Sequence, residues 1–127
     1  MTHRFNKHYT RDEANALLPE IRRWLAQLDL LLELLERQEQ QLSNLLATGN
    51  DAGGRLVNGW VRTVAQIKDV LTEFEQREIL LKDVSHGVID FPAFLGGREV
   101  FLCWERDEES VEYWHELDTG FAGRKRL

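Results

Sequence analysis

The chain has 127 residues, 43% hydrophobic and 30% charged, which suits the core and surface of one ordinary domain. Lys+Arg 16 against Asp+Glu 22 gives a formal charge of −6, which argues against nucleic-acid binding because that binding depends on neutralising phosphates. No apolar run approaches the roughly 20 residues that cross a membrane, and no apolar segment follows the basic start at residues 1–7, so we expect neither a membrane span nor a secretory signal. The single cysteine favours a cytoplasmic location.

After a lead-in at residues 1–9, a long first helix is predicted. Thr10 and Glu13 have the spacing of a capping box, so the helix should begin at Thr10, and Pro19 should kink it or split off a short first piece. The helix should end near Ala47, before a glycine-rich turn at residues 48–54. Beyond Pro19 its apolar residues repeat by seven in two interleaved sets, as in coiled-coil packing: Ile21, Leu28, Leu35 and Leu42 in one, and Trp24, Leu31 and Leu45 in the other.

A second helix is predicted from Leu56 to Glu78, again with two apolar sets that repeat by seven: Val57, Val64 and Leu71, and Trp60, Ile67 and Phe74. Two such helices joined by a short turn make an antiparallel hairpin over residues 10–78. The first helix is longer than the second, and its Leu30 and Leu34 lie off the main seam. These leucines either pack on the C-terminal region or contact a second copy, and we favour a homodimer.

The period changes after Glu78, and residues 79–127 predict a small antiparallel sheet of three to four short strands with an irregular tail. The candidate strands are Ile79–Leu81, Val88–Phe91, Glu99–Trp104 and Val111–Glu116. Pro92 should end the second strand or place it at an edge, and Gly96-Gly97 is a hairpin signal. The predicted fold is α+β, a helical hairpin followed by a sheet, in a single domain over residues 1–127.

No sequence motif of a known enzyme class is present, so the candidate site is a group of side chains on the sheet. His115 is the first candidate, either as an acid–base group or metal ligand or as a strand histidine bonded locally. A four-residue loop between the last two strands would place His115 beside Val100 and Leu102. A five-residue loop, pairing Glu105 with Val111, would place it with Cys103.

The other candidates each have a structural alternative. Cys103 is either a small buried residue or a nucleophile. Asp90 lies in an apolar run and needs partners, for which Arg98 and Arg124 are available. Arg124 either clamps an anion or closes the tail onto Glu116 or Asp118.

The remaining candidates lie near the same strands. Glu116 is the carboxylate next to His115, and Trp114 belongs either to the core or to an aromatic ligand cage. His86 is either a turn residue or, with Asp83, a weak metal pair. Cofactors are left unknown.

Several segments of the chain resemble one known family. Its C-terminal part is similar to the signature of the bacterial and archaeal DUF2203 family in Asp90-Phe91-Pro92-Ala93, Leu102-Cys103-Trp104, Tyr113–Glu116 and Gly120–Arg124. Its N-terminal part resembles that family in Tyr9-Thr10 and Glu13–Pro19. The resemblance implies a small prokaryotic protein of uncharacterised activity, and it transfers no catalytic residue.

These observations favour a dimeric cytoplasmic protein that binds a protein partner or a small ligand. The alternative is an enzyme or metal-binding protein whose site is centred on His115. The sequence leaves open whether the protein is an enzyme.

Overall fold

Two antiparallel helices precede the sheet. The computed structural model describes residues 2–49 and 53–127, with α1 at Arg11–Ala47 and α2 at Gly53–Gln76. Met1 of the lead-in and residues 50–52 of the predicted turn lie outside the described residues. Gly53 and Gly54, which were expected in that turn, begin α2 instead. The rings of Trp24 and Phe74 lie 5.2 Å apart, and Trp60 donates to Glu39 further along the pair, as an antiparallel arrangement requires.

The N-terminus of α1 is fixed by specific hydrogen bonds. The predicted capping box is confirmed, because the amide of Thr10 donates to Glu13 Oε1 (2.9 Å) and that of Glu13 donates to Thr10 Oγ1 (3.1 Å). Pro19 lies inside a continuous α1 and does not split off a short first helix.

Helix α2 ends two residues before the predicted Glu78. Glu78 has a φ of 57°, and the amide of Ile79 returns to the carbonyl of Phe74 (3.0 Å) while that of Glu78 bonds Glu75 (3.0 Å). This is the Schellman pattern that closes a helix, with Glu78 in the place usually taken by glycine. The predicted boundary lay two residues too far along, because it was set by the change of apolar period after Glu78 and not by this capping pattern.

The sheet has five antiparallel strands in the order β1-β2-β3-β4-β5, slightly more than predicted. Their bounds are β1 Leu80–Asp83, β2 Val88–Leu95, β3 Arg98–Glu105, β4 Tyr113–Glu116 and β5 Lys125–Arg126. Gly96 and Gly97 turn between β2 and β3 with φ values of 60° and 79°, which confirms the hairpin signal. Strand β5 comes from the tail that was expected to be irregular.

Pro92 does not end β2, which continues to Leu95. On one side Pro92 pairs with Phe101 of β3. On its other side β2 is no longer paired with β1, whose ladder stops at Leu80 and Asp90, and the Pro92 carbonyl there accepts from the Tyr9 amide (2.7 Å). The N–H that proline lacks therefore falls at an edge, which was the second predicted alternative.

The alternating residues of β2, β3 and β4 give the sheet two different faces. One, here called the helix face, is apolar and is contacted from α1 by Arg22, whose guanidinium lies 5.4 Å from the Trp104 ring. Its fully or nearly buried members are Ile89, Phe91, Ala93, Val100, Leu102 and Trp104. The opposite face, here called the outer face, is covered by Phe5 of the lead-in and by Arg124 of the tail, which contact Phe101 and Tyr113.

The described residues form two compact units, one comprising the chain up to Leu25 and from Glu73 to Leu127, the other comprising Ala26–Thr72. In the second unit the predicted seam of α2 is wrong at two positions, since Val57 and Val64 are 40% and 39% exposed. Thr63 and Val70 are the buried residues there. Neither described helix is both long and apolar enough to span a membrane.

The exposed valines belong to a wider apolar surface of the second unit, which we call the hairpin apolar face: Leu32, Leu46, Val57, Val61 and Val64. Leu32 and Leu46 lie two heptads apart on α1, and Val57, Val61 and Val64 follow the helical spacing on α2. A groove of about 510 Å³ joins Leu46 to Val57. The two helices therefore share a largely apolar surface, with Glu39 and Ser43 as the polar residues that line the groove.

Candidate functional site

Asp90, Cys103 and His115 lie on the outer face of the sheet. Asp90 is directly opposite Cys103 in the β2–β3 ladder, and His115 is opposite Phe101 in the β3–β4 ladder. Extending the β3–β4 register pairs Glu105 with Val111, so the five-residue loop is the correct alternative. That register puts His115 on the same face as Cys103.

The three side chains form one buried cluster. Their relative exposures are 1% for Asp90, 0% for Cys103 and 1% for His115. His115 Nε2 lies 3.0 Å from Asp90 Oδ2, and one potential ligand atom from each residue lies within 4.8 Å of the others. The second carboxylate oxygen, Asp90 Oδ1, is buried without a hydrogen-bond partner. The arrangement concentrates a nitrogen, a sulfur and a carboxylate oxygen where water does not reach.

The other nitrogen of His115 is held by the backbone. Nδ1 lies 2.6 Å from the carbonyl oxygen of Glu116. A carbonyl only accepts, so Nδ1 carries a hydrogen and donates it. This bond fixes the orientation of the ring and directs Nε2 toward Asp90.

The thiol of Cys103 is not prepared for nucleophilic attack. Burial raises the pKa of Cys103 to about 12, and the Asp90 carboxylate adds to the rise while the Arg124 guanidinium opposes it. A reactive cysteine needs a lowered pKa and access to its substrate. Cys103 is therefore a small buried residue and not a nucleophile, unless a cation displaces the thiol proton.

Arg124 lies beside the cluster but pairs with a residue that the sequence did not suggest. It makes a two-pronged contact with Glu108, with Nη1 3.0 Å from Oε1 and Nη2 2.7 Å from Oε2. Its guanidinium also lies 4.0 Å from the Tyr113 ring and 4.2 Å from the Phe121 ring. The expected closure onto Glu116 or Asp118 was wrong, because the loop after β3 brings Glu108 within reach.

The predicted partners of Asp90 were also wrong. Arg98 pairs with Glu116, and Arg124 pairs with Glu108, whereas Asp90 pairs with His115. Glu116 stands opposite Val100, on the helix side of the sheet, so its carboxylate points away from the ring of His115 although its carbonyl holds that ring.

Trp114 stands opposite Leu102, also on the helix side. It is half-buried, and the Lys125 ammonium lies 5.4 Å from its ring. The structure thus brings together Asp90, Cys103 and His115, with Arg124 beside them. It separates the side chains of Trp114 and Glu116 from that group.

Asp83 and His86 form an exposed pair in the turn between β1 and β2. His86 Nδ1 lies 2.8 Å from Asp83 Oδ2, and Asp83 Oδ1 accepts from Ser85 and from the amide of His86. The hydrogen bond from His86 and those from Ser85 and the backbone lower the pKa of Asp83 to about 2. The same contact raises the pKa of His86.

This turn borders a cavity of about 390 Å³ that adjoins the cluster along the outer face. Val88 and Glu105, which line the cavity, are paired across β2 and β3. On the outer face they are the neighbours of Asp90 and Cys103, two residues along each strand. The other lining residues are Lys82, Asp83, His86 and Phe121. Its size lies within the range of small-molecule sites.

Sequence reasoning missed two acidic residues that organise the outer face. Glu108 binds Arg124. Glu99 holds the lead-in, accepting from the amides of Arg4 (2.8 Å) and Phe5 (3.1 Å) and lying 2.7 Å from His8 Nε2. His8 of the lead-in is thus held by a carboxylate of β3. Glu108 lies in a loop and Glu99 near the start of β3, and neither position carries a sequence signal of a distant partner, so neither contact was predictable.

The model of one protein family, described as an uncharacterized conserved protein, DUF2203, matches residues 7–127. This chain belongs to the DUF2203 family. The match confirms the resemblance seen in the sequence and covers all five strands of this DUF2203 protein, including the cluster. No curated protein and no solved structure matched it.

Proposed function

We propose that this DUF2203 protein is a cytoplasmic homodimeric binding module, in which two copies pair through their helical hairpins and the outer face of the sheet takes a ligand or a protein partner. The hairpin apolar face carries the dimer proposal. Leu46 and Val61 on it are 66% and 52% exposed, and a group of exposed aliphatic side chains on one surface marks an interaction site. The single, buried cysteine supports the cytoplasmic location.

A second copy is the occupant that this surface fits best. A two-fold dimer requires a patch that is complementary to itself, and an apolar stripe meets this condition without bringing like charges together. The heptad spacing of Leu32 with Leu46 and of Val57 with Val64 is the spacing with which helices pack into a four-helix bundle. Two hairpins that meet through these faces would bury them on both sides.

Light scattering coupled to size-exclusion chromatography tests the dimer. We expect twice the mass of the chain for the native protein and the mass of one chain for Val57→Glu/Val61→Glu, because both charges would lie inside the interface. Asn58→Glu/Gln66→Glu is the matched control, since it adds the same two charges at exposed positions of α2 outside the hairpin apolar face. A native monomer at high micromolar concentration, or a double variant that stays dimeric, contradicts the proposal.

The cavity of about 390 Å³ supports a small-ligand site on the outer face. Val88 and Phe121 offer apolar surface, and Lys82 offers a cation beside the carboxylates of Asp83 and Glu105. A small aromatic molecule that carries both an amine and a carboxylate therefore suits this lining. We expect L-phenylalanine to shift the amide resonances of Val88 and Phe121 in NMR titrations and to do so less in Lys82→Gln and in Glu105→Gln. No saturable shift at millimolar concentrations would contradict this ligand class and leave a protein partner.

A second candidate function is a metal-binding protein or an enzyme centred on His115. One observation favours it, namely the contact of His115 with Asp90 beside Cys103. The near-complete burial of the three residues argues against a substrate that must touch them, so a bound ion is the form of this candidate that the geometry supports.

A further inference from the structure

We propose that Asp90, Cys103 and His115 bind one divalent transition-metal ion of the zinc class. The proposal is independent of the dimer, because all three residues belong to the sheet and none lies on the hairpin apolar face. Imidazole nitrogen, thiolate sulfur and carboxylate oxygen are the three donors that zinc takes in proteins. Two further observations point to a cation at this place.

The first observation is a 3.0 Å contact between His115 Nε2 and Asp90 Oδ2, which needs either a proton or a metal ion between the two atoms. His115 Nδ1 gives its hydrogen to the Glu116 carbonyl, so Nε2 of a neutral ring presents a lone pair. Asp90 Oδ2 lies 3.0 Å from it and, as a carboxylate, also presents a lone pair. Such a contact is repulsive unless a proton or a metal ion lies between the two atoms.

The second observation is the unpartnered oxygen, Asp90 Oδ1, of a side chain that is 2% exposed. A native core rarely leaves a buried carboxylate oxygen without a hydrogen bond, and a bound ion is one of the standard explanations. A proton shared between Asp90 and His115 leaves Oδ1 unpartnered. An ion in the cluster, by contrast, could be bound by either oxygen of the Asp90 carboxylate.

The charges and distances suit a divalent ion. A carboxylate and a thiolate carry two negative charges, which one divalent ion neutralises inside the sheet. Ligand atoms on one zinc ion lie about 3–4 Å from one another. The three potential ligand atoms here lie within 4.8 Å of each other, so the side chains need to move together by only about 1 Å.

Two neighbours limit what the site does. Arg124 brings a positive charge toward Cys103, but Glu108 balances it through the two-pronged contact. Three protein ligands leave a fourth zinc position, which a single water that enters with the ion can fill. Binding must release the thiol proton, since only the thiolate ligates.

The test uses the full chain purified without an affinity tag, because tag histidines are themselves ligands. We expect elemental analysis of protein expressed with zinc and then dialysed to give one ion per chain. Cobalt(II) added to protein stripped with a chelator should produce the near-ultraviolet absorption of a thiolate-to-cobalt bond. The chain contains one cysteine, so this absorption assigns the sulfur to Cys103.

Matched variants locate the ion. Cys103→Ser and His115→Gln should lose at least ten-fold in zinc affinity, whereas His86→Gln, which removes an exposed histidine beside a carboxylate, should keep it. Circular dichroism checks that each variant is folded. If the triad variants do not fold, the cobalt absorption of the native protein decides. No thiolate absorption, or zinc lost with His86 instead, overturns the proposal in favour of a protonated Asp90–His115 pair.

Discussion

The side chains of His115 and Asp90 are in contact although their strands are not adjacent in the sheet. Asp90 lies on β2 and His115 on β4, and β3 separates the two strands, yet Nε2 and Oδ2 are 3.0 Å apart. The contact passes over β3 at the position of Cys103. It ties the middle strands together by side chains, in addition to the backbone ladders.

His115→Ala is expected to lower the free energy of unfolding by about 3–5 kcal/mol, because it leaves a buried carboxylate without its partner. Urea unfolding followed by the fluorescence of Trp104 and the other tryptophans measures this loss. A chelator in every sample keeps any bound metal out of the comparison.

The double variant Asp90→Leu/His115→Phe tests the cause of that loss. It replaces both polar partners with apolar groups of similar volume, so it should recover most of the stability that the single variant loses. If the double variant is no more stable than His115→Ala, the loss comes from packing around the ring and the pair itself contributes little.

Glu108→Ala is expected to loosen the C-terminal segment and to cost about 1–3 kcal/mol, because it leaves the guanidinium of Arg124 half-buried without its acceptor. Hydrogen exchange at the Leu127 amide reports this change, since that amide bonds the carbonyl of Glu112 across β4 and β5 (2.8 Å). Arg126→Ala breaks the exposed contact with Glu112 and should change stability by no more than about 0.5 kcal/mol. Equal effects of the two variants would contradict the importance assigned to Glu108.

The turn pair of Asp83 and His86 should titrate as one unit. Asp83 raises the pKa of His86 above its ordinary 6.5. The stability that this shift gives the fold is complete below pH 6.5 and is lost as the pH rises through the folded pKa. On the acid side it is lost as pH falls from 3.8 toward about 2, the lowered pKa of Asp83. NMR titration of the His86 ring should show a lower pKa in Asp83→Asn, and an unchanged value would refute the coupling.

The parts of the fold that were predictable from sequence depend on short-range signals. Thr10 and Glu13 lie one turn apart, and Gly96-Gly97 needs only its own positive φ values, so both features follow from local chemistry. The end of α2 at Gln76 did not follow, because Glu78 adopts a conformation that the sequence gives no reason to expect.

The site was predictable only up to the strand register. Alternation placed His115 on a face, but the loop between β3 and β4 decides whether that face also holds Cys103, and two loop lengths fitted the sequence. The apolar residues of α2 left a similar choice between two sets. Val57 and Val64 repeat by seven, and so do the intervening Trp60 and Ile67. Packing, not periodicity, selects which set faces α1.

The buried position of Cys103 also allows the opening of the sheet to be measured by thiol labelling. The chain has no other thiol, and this one is 0% exposed between Asp90 and Tyr113 in the ladder. A thiol reagent therefore reacts only after the strands separate locally or the whole domain unfolds. The labelling rate divided by that of an unprotected cysteine gives the fraction of time that the centre of the sheet is open, and comparison with the global unfolding rate shows whether the opening is local.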